Sequence, residues 1–600
     1  MKLKIERTDT AWSTLVKQHP AIAWGLSIAG LLLLGGITFL WNLGTIGLID
    51  ETEPLFAEAA RQMTVTGDWI TPYFNEATRF DKPPLVYWLM AIGYYIVGTN
   101  EWAVRLPSAL SAIALMVFTF YVLRRYTPSQ SVWIPWLSAA IGASAIALNP
   151  LSVIWGRTGV SDMLLVGCMG SALLAFFLGY ATNPTEAPRL PNRWYWAFYI
   201  LVALAILAKG PVGIVLPGLI VLAFALYLGN FGQLWREMRP PLGLLAIAAI
   251  AVPWYVAVIL ANGRDYIDTF FGYHNFERFT QVVNHHAGPW YFYFPVVLAG
   301  FAPWSVFVPM ALSRVRFWRR KEWQAQPRSR QLGLFAFFWF AVIFIFFTTA
   351  ATKLPSYVLP LIPAGAIAIA LLASAEFSNS PPARIPMQLT RWANVALFVA
   401  LGITIYSLPR WLGYDPAAPD LNEALEASKL PLIGGIVWGL AAVAGIGALL
   451  TRRKSWLWGI NLVGFLAFSI LTIHPAYLLV DRHRQLPLRQ IATTIERVER
   501  SGEPIAMVGF EKPSLVFYTQ QPITFFSNIE STMAYLIETS HNRSQPDSVL
   551  LVGNPDRLED VQEDLALPPS QYIEIDEKGA YQLVRVSTAS PLNWAIDPEN

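Results

Sequence analysis

The chain has 600 residues, with 43 Lys and Arg against 40 Asp and Glu for a formal charge of +3, and is 14% charged and 54% hydrophobic. Soluble globular chains carry about 25% charged residues, so this deficit, together with 24 Trp and 35 Phe and a mean hydropathy of +0.43, excludes a disordered protein and points to a membrane protein. Balanced charge removes the basic surface that nucleic-acid binding needs, and the lone Cys168, set in an apolar run, excludes a disulfide framework or a cysteine-based zinc cluster.

The first apolar stretch, 21–41, follows Lys2, Lys4, Arg7 and Lys17. It exceeds the roughly 7 to 15 residues of a signal-peptide core, so it predicts an uncleaved span with a cytoplasmic amino terminus. Further runs long enough to cross a bilayer lie near 106–123, 132–149, 163–181, 194–208, 211–229, 242–261, 289–312, 332–350, 354–375, 392–409, 430–450 and 455–473, for about 13 spans in all. Short cytoplasmic loops collect Lys and Arg. An inside start places Arg124 and Arg125, Arg189 and Arg193, Arg236 and Arg239, the run 314–321 and the run 452–454 in the cytoplasm. Residues 42–105 and 262–288, the Lys353 turn and everything after His474 are then outside. The apolar segment 85–97 would span roughly 20 Å as a helix, short of a roughly 30 Å core, and is expected to lie on the outer membrane surface.

The long first outer loop, 42–105, carries the densest chemistry. Asp50, Glu51, Thr52, Glu53 and Pro54 precede a helical face of Leu55, Phe56, Ala59, Ala60 and Met63. Pro54 suits the first helical position and sets Glu53 near the N-cap. For Asp50 and Glu53, capping and catalysis both stay open; Glu51 reads more simply as a solvated charge. Next come Arg79, Phe80, Asp81, Lys82, Pro83 and Pro84. The prolines favour extended residues before them, which predicts Asp81 and Lys82 on opposite sides. Pro84 then opens the surface helix, whose free N–H groups attract anions, and Lys82 reinforces that attraction. A lipid phosphate held in the membrane plane would suit such a place.

Arg105 and Arg157, Asp162, then Lys353, Ser356 and Tyr357 add polar groups at outer span ends, and His274, Glu277, Arg278, His285 and His286 fall in the second outer loop. Snorkelling is the simpler alternative for Lys353, and hydrogen bonding the simpler one for each histidine. No Walker A loop, dinucleotide glycine fingerprint or HExxH helix is present, so a soluble nucleotide sugar has no visible site. After Pro475 charges return. Segments 504–508, 515–518, 548–552 and 581–586 alternate like strands, with helical patterns at 486–500 and 556–565. They predict an extracytoplasmic α/β domain over 476–600, behind a transmembrane domain over 1–475.

Several strings in order carry a family resemblance: LFAEAARQM (55–63), GDWITPYFN (67–75), RFDKPPLVYW (79–88), NEWAVRLPSAL (100–110), RTGVSDMLL (157–165), LAKGPVGIVLPG (207–218), GPWYFYFPVVLAGFAPW (288–304) and KLPSYVLPLIP (353–363). With a weaker stretch at 511–519, they resemble the GT-C-fold lipid-linked-sugar glycosyltransferases, in the branch of bacterial aminoarabinose transferases and protein O-mannosyltransferases. The resemblance implies a polytopic enzyme of the bacterial inner membrane. It would transfer a sugar, with inversion, from a polyprenyl-phosphate carrier to a lipid, glycan or protein acceptor on the extracytoplasmic face.

The family's Asp-Glu pair before the first loop helix is displaced here. Ungapped alignment sets Thr52 and Glu53 on it, whereas Asp50 and Glu51 lie two residues early, and Leu55 replaces the usual arginine. Asp50 is preferred over Glu53 as the catalytic carboxylate. Asp81 and Lys82 take the place of the family's Glu-Lys pair, with Lys82 as the phosphate-binding cation and Asp81 as the contact for a divalent metal, should one be used. Arg79, Arg105, Arg157, Asp162, Arg278, Lys353 and Tyr357 complete the expected substrate-binding set. A transporter or flippase of lipid-linked saccharides is the main alternative, and a non-catalytic scaffold a third.

Overall fold

The computed structural model describes residues 11–182, 190–282, 286–378, 384–541 and 547–592. Lys2, Lys4, Arg7, Arg189 and His285 lie outside the described residues. Within them, nine helices are long and apolar enough to cross a membrane: Pro20–Leu40, Glu101–Tyr126, Ser161–Ala181, Pro240–Asn262, Leu332–Thr349, Pro355–Phe377, Ile385–Tyr406, Leu430–Leu450 and Trp456–Val498. The pair Ile134–Ala147 and Pro150–Gly156, bent by 62°, has the same length and apolar character when its halves are taken together. Asn149 accepts from the Ser152 N–H and Pro150 opens the second half, so a new helix starts where the first stops.

Chain breakers explain why other apolar stretches form shorter helices. Arg193–Lys209 and Val212–Leu228 hold only 17 residues each, parted by Gly210 at φ +81° and Pro211. The apolar stretch 289–312 divides into Tyr293–Gly300 and Phe307–Arg314 around a turn containing Pro303, which cannot donate a helical hydrogen bond. Deep in the bundle, Asn394 and Asn461 exchange amide hydrogen bonds of 3.1 and 2.8 Å, a polar clasp between two spans.

Helix Thr52–Thr66 packs beneath helix Leu85–Val97. Tyr94 donates to the Ala57 carbonyl at 2.9 Å, and Phe56 stacks on Tyr87. The shorter helix buries Val86, Tyr87, Met90 and Ala91 and leaves Tyr95 and Ile96 exposed. Between the two helices, strands β1 (Tyr73–Phe74) and β2 (Ala77–Thr78) pair across a turn with Asn75 and Glu76 at φ +51° and +66°, the left-handed pair a two-residue hairpin needs.

The helix beginning at Trp456 continues to Val498, so the change in composition after Pro475 falls inside one helix. A five-stranded sheet follows: β3 (Ile505–Val508), β4 (Ile523–Phe526), β5 (Ser548–Gly553), β6 (Tyr572–Lys578) and β7 (Tyr581–Ser587), in the order β4-β3-β5-β7-β6. β3 is parallel to β4 and β5, and β7 antiparallel to β5 and β6. The segment 515–518, expected as a strand, lies in helix Pro513–Thr519. Proline at the first helical positions starts it, and its apolar residues are buried by helix packing instead of a ladder. The sheet domain docks on the first loop. Asn75 clasps the Ile523 backbone in both directions at 2.8 and 2.9 Å, and Tyr518 donates to Glu101 at 2.9 Å.

Candidate active site

A cavity of about 980 Å³ opens between the loop before helix Glu101–Tyr126, the segment 269–286 and the ends of several long helices. Asp50, Glu53, Arg79, Asp81, Lys82, Asp162, Lys209 and Arg278 are the charged residues of its lining, with His274 beside them, while Trp155, Leu165, Val212, Val215, Phe346 and Phe347 give it apolar walls. Polar groups converging beside a long apolar wall suit an amphiphile with an anionic head.

The cationic side centres on Asp81. Its carboxylate accepts from Lys82 Nζ at 2.5 Å and Arg79 at 3.0 Å, with His274 Nδ1 at 3.0 Å. Asp81 and Lys82 therefore do not diverge as their extended backbone suggested. The flexible lysine stem folds back because two charges leaving water together gain most by pairing. Burial alone would push the Asp81 carboxyl up, but Lys82, Arg79 and His274 outweigh it and hold it far below the usual carboxylate range. Lys82 titrates below the usual lysine value, through burial and the neighbouring charges of Lys209 and Arg278, against the pull of Asp81. Burial lowers His274 to about 4, so it is neutral near pH 7. Asp81 is a poor seat for a divalent ion, which would have to compete with two cations, and among the described residues no three His, Cys, Asp or Glu side chains gather as a metal set.

A second pair faces the same cavity. Lys209 Nζ donates to Asp162 at 2.7 Å and sits 5.8 Å from the ring of Tyr357. Lys209 and His274 were not among the expected site residues. The visible signal for Lys209 was an ammonium between two apolar runs, where a charge is costly and usually functional.

Four of the expected residues have other work. Arg105 is fully buried, and its five N–H groups are all committed: two to Glu53 and three to the carbonyls of Leu43, Ile46 and Gly47, at 2.7–2.8 Å. Glu53 is equally saturated. Its oxygens accept twice from Arg105, once from the Ile49 N–H at 2.8 Å and once from the Gly159 N–H at 2.6 Å, which leaves no lone pair for a proton from substrate. The helix begins at Thr52, earlier than expected, so Glu53 turns inward within its first turn. Arg157 donates to the carbonyls of Thr38 and Asn42 and lies over Tyr477, away from the cavity lining. Lys353 donates to the carbonyls of Thr348 and Ala350 at 2.8 Å, closing the carboxyl end of helix Leu332–Thr349.

Asp50 lines the cavity. Its Oδ1 accepts from the Ser514 N–H at 2.9 Å and its Oδ2 from the Ser514 hydroxyl at 2.6 Å. Burial raises its carboxyl above the ordinary value, against the opposing pull of Ser514, Lys512 and Arg484, which makes it a stronger base than a solvated aspartate.

The chain resembles known proteins over much of its length. Residues 81–256 match the family model of dolichyl-phosphate-mannose-protein mannosyltransferases, and 498–599 that of the C-terminal domain of cyanobacterial RgtA-type glycosyltransferases. The undecaprenyl phosphate-alpha-4-amino-4-deoxy-L-arabinose arabinosyl transferase of Erwinia tasmaniensis is 28% identical over 428 residues, 71% of this chain and 72% of that protein. A protein of the same name from Pseudomonas fluorescens is 26% identical over 545 residues, 88% of this chain and 85% of the relative. The crystal structure of ArnT from Cupriavidus metallidurans bound to undecaprenyl phosphate superposes with a TM-score of 0.73 at 23% identity, covering 94% of this chain and 98% of that one. The chain is similar to the aminoarabinose transferases and shares the fold of ArnT. This glycosyltransferase is a multi-pass integral membrane protein, and no comparison supports a transporter.

Proposed function

We propose that this glycosyltransferase takes a sugar from a polyprenyl-phosphate carrier and transfers it, with inversion, to a hydroxyl of a lipid or glycan at the extracytoplasmic face. The observation that carries the reading is the joining of Lys82, Lys209 and Arg278 to an apolar wall in one cavity. The names of the aminoarabinose relatives, which include the undecaprenyl phosphate carrier, support the donor class. Span geometry supports the face. From Arg105 to Arg125 helix Glu101–Tyr126 runs about 30 Å, which sets the loop chemistry across the bilayer from a basic, cytoplasm-marking end.

In the reaction, the bond from the sugar's anomeric carbon to the phosphate oxygen breaks and its electron pair stays with that oxygen. Lys82, helped by Arg278, stabilises the charge that grows there, the largest catalytic contribution in such a site. The acceptor oxygen bonds to the opposite face of the same carbon, and Asp50 takes the acceptor's proton. Base catalysis of this kind contributes about 10²–10⁴-fold. Asp81 holds Lys82 in place, while the Asp162–Lys209 pair supplies a second cation beside Tyr357.

The test uses proteoliposomes containing the purified enzyme and a total lipid extract of the producing cell, with free polyprenyl phosphate read by mass spectrometry. Release should depend on the enzyme and vanish in Asp50→Asn. Unchanged release by Asp50→Asn would reject Asp50 as the base; absence of release by the wild type would reject the donor class.

A further inference from the structure

The Asp50 carboxylate sits on a stretch of loop with no secondary structure of its own, fastened largely by the carboxyl-terminal part of the chain. Gly47 N–H donates to Asp481 at 2.6 Å and Leu48 N–H to Tyr518 at 2.8 Å. Arg489 holds Asp481 at 2.6 Å, and Tyr518 is anchored on Glu101. These contacts fix the backbone ahead of Asp50. Ser514 touches the carboxylate itself, with its N–H on one oxygen and its hydroxyl on the other.

Resting on the reading of Asp50 as the base, we propose that Ser514 is a positioning residue for transfer, through which the carboxyl-terminal sheet domain completes the active site. Two donors from one residue, one on each oxygen, fix the plane of the carboxylate as well as its position, which a single bond would leave free to rotate. Each carboxylate oxygen has a second acceptor site, so Asp50 is still able to take a proton from the cavity side. Glu53, with four donors on two oxygens, is not. The two carboxylates preceding and opening helix Thr52–Thr66 thus differ in spare acceptor capacity, and Ser514 aims the one that has it.

The groups facing Asp50 come from several elements of the same domain: Ser514 in helix Pro513–Thr519 and Lys512 just before it, Arg484 from the long helix, and Tyr581 from β7. Removing the Ser514 hydroxyl deletes a donor that favours the ionised carboxylate. The Asp50 carboxyl should therefore titrate higher, and the acid limb of the rate–pH profile should move to higher pH. A serine that merely held two domains together would lower stability or amount of enzyme without moving that limb.

The experiment compares wild type, Ser514→Ala, Ser514→Thr and Asp50→Asn in the proteoliposome assay from pH 5 to 9, with melting temperature recorded for each. Ser514→Ala should lose about tenfold in rate at saturating lipid, with its acid limb raised by roughly one pH unit, and Ser514→Thr should restore both. A Ser514→Ala enzyme with the wild-type rate and limb overturns the inference. So does a loss of rate with an unmoved limb that threonine fails to restore. If Asp50→Asn is inactive in either case, the base assignment stands and the positioning role alone fails. An active Asp50→Asn removes the base assignment itself.

Discussion

Glu53–Arg105 and Asp81–Lys82 are both carboxylate–cation pairs with one or both members in the loop before helix Glu101–Tyr126, yet they are built for opposite ends. In the first, both side chains are wholly excluded from solvent, and every donor and acceptor is used within the protein. In the second, the side chains keep 11–15% exposure and gather a further cation, Arg79, around one carboxylate. Charge type does not separate scaffold from site here. Spare hydrogen-bonding capacity does: a saturated pair fixes the loop, and an unsaturated one is able to receive a phosphate.

The largest expected effect breaks the saturated pair. Arg105→Ala leaves Glu53 buried and charged without its partner, and three carbonyls without donors. It should destabilise the enzyme by about 3–5 kcal/mol, read as a fall in melting temperature and in folded yield. Glu53→Gln should act in the same direction, and a double-mutant cycle should show strong coupling. A near-wild-type melting temperature for Arg105→Ala would erase the contrast between the two pairs.

Lys82→Ala should do the reverse. Transfer is expected to fall about 10²–10³-fold, as when one oriented donor to a developing charge is lost, while the melting temperature changes little. Loss of fold in this variant would place Lys82 with the scaffold.

Much of the charge in the candidate cavity was legible in the sequence because charge is scarce in this chain, so Asp50, Arg79, Asp81, Lys82, Asp162 and Arg278 stood out. What the sequence hides is how each group's partners are filled. Arg105, Arg157 and Lys353 spend donors on backbone carbonyls, which leave no mark in the identity of their own residues. Glu53 turned inward because the helix starts earlier than Pro54 suggested. Lys209 was passed over since its partner Asp162 lies 47 positions away. In the sheet domain β3, β5 and β7 were readable from their apolar alternation, whereas β4 was not read and β6 is too charged to show a pattern, and the apolar run at 515–518 is ambiguous between helix and strand.

A smaller effect is expected at Lys353. Replacing it with Met keeps the apolar stem and removes the ammonium from the helix end, which should cost about 0.3–1 kcal/mol and leave transfer close to wild type. A loss of transfer comparable to that of Lys82→Ala would move Lys353 into the site.

The smallest expected effect on transfer concerns His274, the neutral member of the Asp81 cluster. Burial lowers its folded value to about 4 from an ordinary 6.5. Between those values the unfolded chain binds a proton that the folded enzyme does not, so stability falls as pH drops from 6.5 towards 4, and the loss levels off once both states are protonated. In His274→Gln that contribution is gone, and the melting temperature should decline less steeply over this window. The rate–pH profile between 5 and 8 should keep its shape, because the limb belongs to Asp50. A limb that disappears in His274→Gln would assign the titration to the histidine, and with it a change of charge in the phosphate pocket that the Asp81–Lys82 geometry does not require.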